Sequence, residues 1–236
     1  MHRDYVKWYS ERLHREMEIL VFGHAGEPVL VFPTSQGRFF EFEDRGMVGA
    51  LAPKLERGEL QLFCVDSVDA ESWYARWKHP ADRVWKQQDY DEYLVREVVP
   101  FIRGRNQSPR FTATGASLGA YHAVNFALRH PDVVRYTLAM SGAYSVPQTF
   151  LDGYYDQNAY FHAPLDNLPQ ISDPWFLGHL SRSYFLVVTG REDRFIGESW
   201  DLTHKLGAKG IPNRLELWDG WCHDWPYWRQ MVRMFL

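Results

Sequence analysis

Cysteine is scarce. Cys64 and Cys222 are the two present in 236 residues, which excludes a disulfide framework, and their spacing is not that of a thiolate metal site. Long apolar runs are also missing: no segment approaches the ~20 residues of a membrane-spanning helix. The first ten residues, Met1-His-Arg-Asp-Tyr-Val-Lys-Trp-Tyr-Ser10, lack the apolar stretch of a secretory leader. No run of one charge occurs, and a net charge of −4 leaves no basic face for nucleic acid. Zinc motifs, Walker loops and dinucleotide fingerprints are absent too, as are internal repeats and linker-like stretches. These absences lead us to expect one domain over residues 1–236, cytoplasmic, with no metal and no cofactor. They also argue for a small molecule as the partner, with no nucleic acid and no membrane; they leave the oligomeric state open.

Aromatic residues, by contrast, are plentiful: ten Trp, thirteen Tyr and fifteen Phe make up 16% of the chain. Most are expected to fill the core. Trp73, Trp77, Trp175 and Trp221 fall instead in segments that read as loops, and Trp73, Trp175 and Trp221 are candidates to line a substrate pocket.

Hydrophobic periodicity alternates between strand and helix along the chain. Strands are expected over 5–10, 13–22, 29–32, 60–66, 111–114, 134–140, 184–189 and 214–218. Helices are expected over 39–55, 82–102, 118–130, 198–207 and 224–235, and residues 141–183 read as irregular. Short, fully apolar strands such as Val29-Leu-Val-Phe32 belong in sheets covered on both faces. The fold class is therefore α/β: a mostly parallel sheet of about eight strands, antiparallel at its N-terminal edge, with helices on both faces. Reactive groups in such sheets collect at the carboxyl ends of the strands.

One stretch, Gly115-Ala-Ser-Leu-Gly119, lies between an expected strand and an expected helix. That is the G-x-S-x-G pattern of a nucleophile elbow in its strand–turn–helix setting. The glycines let strand and helix approach closely, and Ser117 stands at the apex of the turn, where the N-terminus of the following helix faces it. Three fixed positions recur by chance in roughly one chain in twelve of this length, so the pattern needs a carboxylate and an imidazole elsewhere.

Those partners should follow in the order acid, then base. After the strand ending at Thr189 comes Gly190-Arg-Glu-Asp-Arg-Phe195, where Asp193 is the candidate acid and Glu192 the runner-up. After the last strand comes Asp219-Gly-Trp-Cys-His223, where His223 is the candidate base. Among the other histidines His122 is the main competitor, although it lies more than a helical turn past Ser117. Asp224 suits the cap of the closing helix. An oxyanion site needs two N–H groups: Leu118, directly after the serine, and either Thr34 or Ser35 in the loop after Phe32.

With these residues in place, the chain resembles the esterase D group of α/β-hydrolases, which includes S-formylglutathione hydrolases, feruloyl esterases and mycolyltransferases. The resemblance covers most of the chain. It rests on Gly115-Ala-Ser-Leu-Gly-Ala120, Gly190-Arg-Glu-Asp-Arg-Phe195 and Cys222-His-Asp-Trp-Pro-Tyr-Trp228. Ser72-Trp-Tyr74 and Phe161-His-Ala-Pro-Leu-Asp-Asn-Leu-Pro169 support it. It implies an α/β-hydrolase fold with Ser117, Asp193 and His223 as nucleophile, acid and base. Ala116 departs from the His that S-formylglutathione hydrolases generally carry there, and Pro33-Thr-Ser-Gln-Gly37 departs from their oxyanion loop. The expected activity is that of a serine carboxylesterase taking small or medium acyl esters through an acyl-enzyme. An acyltransferase with the same triad, and a non-catalytic binding protein on the same fold, are the alternatives.

Overall fold

A computed structural model describes residues 1–236. Eight strands form one sheet: β1 (Arg3–Ser10), β2 (Arg15–Phe22), β3 (Glu27–Phe32), β4 (Leu60–Val65), β5 (Phe111–Ala116), β6 (Val134–Met140), β7 (Tyr184–Gly190) and β8 (Asn213–Trp218). Their order across the sheet is β1-β2-β4-β3-β5-β6-β7-β8. The β1–β2 and β2–β4 pairs are antiparallel and every other pair is parallel. This is the mostly parallel, two-sided sheet expected from the residue pattern, and the α/β-hydrolase architecture that the resemblance implies.

Alternation within the central strands shows why both of their faces are buried. Leu30 and Phe32 of β3 enter one hydrophobic cluster, whereas Val29 and Val31 enter the other. The first cluster is covered by α3 (Pro80–Tyr93), α4 (Val99–Arg105), α5 (Leu118–Arg129) and α10 (Ile196–Ala208). The second is covered by α1 (Glu41–Asp44), α2 (Met47–Glu56) and α11 (Trp225–Phe235). Edge strand β1 has one solvated face, and its burial alternates residue by residue. No helix is long and apolar enough to cross a membrane.

Three segments differ from their periodicity. The expected helix over 39–55 is two helices, broken at Gly46, whose φ of +74° is a left-handed conformation suited to glycine. The expected helix over 82–102 starts earlier, at Pro80, and carries a π-helical turn over Leu94–Val98 before Pro100. Proline there has no N–H to donate, and the wider turn relieves its clash with the preceding carbonyl. Residues 141–183 hold four short helices, α6 (Val146–Phe150), α7 (Gln157–Phe161), α8 (Pro164–Asn167) and α9 (Pro174–Leu180). Each is too short to show a period, and three of the four begin on a proline in the first turn.

Candidate active site

The site forms where β5, β7 and β8 end, on the carboxyl side of the sheet. Ser117 follows β5 at φ +55° and ψ −120°, a conformation rare outside glycine and held here by its surroundings. Its own N–H donates to Met140 O at 2.9 Å at the end of β6. The turn closes only because its flanks lack side chains. A Cβ on Gly115 would stand 2.3 Å from the Gly119 backbone, and one on Gly119 would stand 2.5 Å from Pro33 O.

Asp193 lies just beyond β7 and is buried, whereas the neighbouring Glu192 is exposed. Its carboxylate accepts hydrogen bonds from Thr189 Oγ1 (3.1 Å) and Phe195 N–H (3.0 Å). Burial by itself would raise the Asp193 carboxyl; hydrogen bonding, with His223 the leading contributor, more than offsets this and holds it below the ordinary carboxylate range. The loop after β8 brings the imidazole back over the sheet. A Cβ on Gly190 would meet Gly220 O and Trp221 O at 2.3 Å, so the acid loop and the imidazole loop touch through bare backbone. Cys222, at φ +51°, turns the chain directly before His223. Below the loop, Ser141 Oγ donates to Cys222 O and accepts from Trp228 Nε1, both at 3.1 Å. Asp224 accepts from Trp225 N–H at 2.7 Å and caps α11.

These elements bring three distant side chains together. His223 Nδ1 lies 2.9 Å from Asp193 Oδ2, and His223 Nε2 lies 3.1 Å from Ser117 Oγ. The imidazole thus spans a carboxylate and a hydroxyl, with one nitrogen for each.

The profile of the family described as "Putative esterase" matches residues 10–235. The chain belongs to this esterase family. No curated protein sequence matches it. Among solved structures, a ferulic acid esterase superposes with a TM-score of 0.79 at 18% identity, over 100% of this chain and 96% of that one. An S-formylglutathione hydrolase from Agrobacterium tumefaciens gives 0.75 at 17% identity, over 98% and 92%. The fluorophosphonate-binding serine hydrolase FphF of Staphylococcus aureus gives 0.69 at 17%, over 99% and 96%. At such identities these likenesses establish the fold, and the family match establishes an esterase-family enzyme.

The aromatic residues expected at the pocket of this esterase separate into three cases. Trp221 is about half exposed, and its ring stacks on His223 with centroids 5.7 Å apart and planes 24° from parallel. Trp73 does not line an open pocket: it is fully buried, packed edge-on against Tyr121 at 6.0 Å. Its segment folds inward because the buried Arg83 guanidinium donates to the Ser72 and Trp73 carbonyls. Trp73→Ala is expected to cost about 3–5 kcal/mol in urea unfolding, and Trp73→Phe much less. Trp175 lies at the wrong end. It is on α9, which leads into the start of β7, beside a cavity of about 470 Å³ lined by Phe176, His130 and Arg129. That cavity stands at the far end of the 12-residue α5, about 18 Å from Ser117 at 1.5 Å per residue. The chain returns to the amino side of the sheet before each parallel strand, which carries Trp175 away from Ser117, Asp193 and His223.

The two candidates for the second oxyanion donor also separate. Thr34 N–H donates to Glu41 Oε2 at 2.8 Å and is not free. Ser35 N–H has no acceptor in the protein. Leu118, at the first position of α5, has no acceptor within its own helix. His122, the competitor to His223, is buried with its Nε2 2.9 Å from Asp69 Oδ1, away from Ser117 Oγ. Sequence reasoning missed Asp69 and Glu41. Asp69 follows the end of β4 closely, so the rule that reactive groups gather at strand carboxyl ends was the signal that pointed to it.

Proposed function

We propose that this protein is a serine carboxylesterase that hydrolyses small or medium acyl esters through an acyl-enzyme on Ser117. One observation carries the reading: His223 stands within hydrogen-bond distance of both Ser117 Oγ and Asp193 Oδ2. As Ser117 Oγ attacks the ester carbonyl, its proton passes to His223 Nε2, and Asp193 holds Nδ1–H and stabilises the imidazolium. The carbonyl oxygen, now anionic, receives the N–H groups of Leu118 and Ser35, while the N-terminus of α5 adds its favourable dipole. Collapse expels the alcohol, which takes the proton from His223. Water then repeats the sequence on the acyl-enzyme, giving the acid and restoring Ser117. Trp221 and Phe195, whose ring centroid lies 5.8 Å from that of His223, supply apolar walls suited to an acyl chain.

A panel of chromogenic esters graded by acyl length tests this reading, together with fluorophosphonate labelling of the wild type and of Ser117→Ala. The expected result is turnover and labelling in the wild type and neither in the variant. Folded wild-type protein that neither turns over any ester nor takes the label refutes the assignment.

A further inference from the structure

The turn that carries Ser35 is held by more than its own backbone. Gly37 N–H donates to Thr34 O at 2.8 Å, which makes Ser35 and Gln36 the central residues of a β-turn. Gln36 has φ +55°, a left-handed conformation that is strained for a residue with a side chain. Such a conformation persists only where the surroundings over-determine it.

Two carboxylates do so, one on each side of Ser35. Glu41 accepts Thr34 N–H and Thr34 Oγ1–H, both at 2.8 Å. Asp69 Oδ2 accepts Gln36 N–H at 3.2 Å. The second oxygen of the fully buried Asp69 meets His122 Nε2 at 2.9 Å. His122 lies one helical turn beyond Leu118 on α5, and its ring stacks on Phe32, the last residue of β3, at 5.9 Å. The helix that carries Leu118 N–H is therefore tied, through His122, Asp69 and Gln36, to the turn that carries Ser35 N–H.

We propose that Asp69, His122 and Glu41 are positioning residues that keep Ser35 N–H aimed, together with Leu118 N–H, at the oxyanion. The proposal rests on the serine esterase reading. None of the three touches substrate. An oxyanion donor contributes only if it already stands where charge will develop. Releasing the turn therefore removes transition-state stabilisation and leaves ground-state binding largely intact. Hydrogen-bond geometry, not charge, is the operative property. Gln at position 41 can accept Thr34 N–H through its carbonyl and donate its amide to the Thr34 hydroxyl. Asn at position 69 can accept Gln36 N–H and donate to His122 in its other tautomer.

The test uses one chromogenic ester that the wild type hydrolyses, with kcat, KM, melting temperature and inhibition by phenylboronic acid measured for each variant. Asp69→Ala and Glu41→Ala are expected to lose about 10- to 100-fold in kcat with KM within about threefold of wild type. Phenylboronic acid, whose tetrahedral adduct mimics the oxyanion, should weaken by a similar factor. Asp69→Asn and Glu41→Gln should recover to within about threefold of wild type, which a merely structural loss or a charge effect does not produce. Thr34→Val keeps its shape and deletes only the hydroxyl bond, so it should stay folded and lose about three- to tenfold in kcat. The proposal is overturned by folded alanine variants with wild-type kcat, by a change confined to KM, or by amide variants as impaired as alanine. Should the alanine variants not fold, wild-type kcat in Thr34→Val overturns it. Wild-type protein with no Ser117-dependent turnover removes the esterase reading itself, a different failure from wild-type turnover that these substitutions leave untouched.

Discussion

His223→Ala is expected to lower ester turnover by about 10⁴- to 10⁶-fold, with the melting temperature close to that of the wild type. The imidazole is the one group within hydrogen-bond distance of both the Ser117 hydroxyl and the Asp193 carboxylate, at 3.1 Å from Ser117 Oγ and 2.9 Å from Asp193 Oδ2. Without it, on the proposed mechanism, the serine proton has no acceptor, so attack falls to the level the proposed oxyanion donors alone support. Stability should change little because the loop is held elsewhere: by Ser141 Oγ on Cys222 O and by the close contact of Gly190 with Gly220 and Trp221. A steady-state assay beside a thermal melt checks both halves. Turnover within tenfold of wild type means that another group accepts the proton.

Asp193→Asn should be the next most damaging change, with a loss in kcat of about 10⁴-fold, whereas Glu192→Gln should leave kcat within about twofold. The two carboxylates are neighbours in sequence but not in environment. Asp193 is buried and takes bonds from Thr189, Phe195 and His223, while Glu192 is exposed to solvent. An amide at position 193 can present a donor to His223 Nδ1, which puts the imidazole proton on the nitrogen that must face Ser117. The base then has no free lone pair for the serine proton. Equal losses in the two variants, or a larger one at Glu192, would reassign the acid.

Much of the candidate site was legible in the sequence. Gly115-Ala-Ser-Leu-Gly119 announced the elbow because closing it requires residues without side chains at fixed spacing, and that requirement is local. Asp193 and His223 could be nominated because each stands in a short turn directly after a strand, β7 continuously apolar and β8 alternating. The strands themselves were readable to within a few residues, since burial on both faces demands continuous apolar sequence.

What the sequence determined by itself is therefore what a short stretch of chain must satisfy alone: strand or helix, a turn without side chains, the carboxylate and imidazole waiting at strand ends. Tertiary structure decided what depends on groups far apart in sequence. It buried Trp73 beneath α5 and carried Trp175 to the far end of that helix. It occupied Thr34 N–H with Glu41 and left Ser35 N–H open. It also joined Asp69 to His122 across 53 positions of sequence. Hydrogen bonds and packing of that kind act through space, and only the path of the folded backbone sets which residues meet.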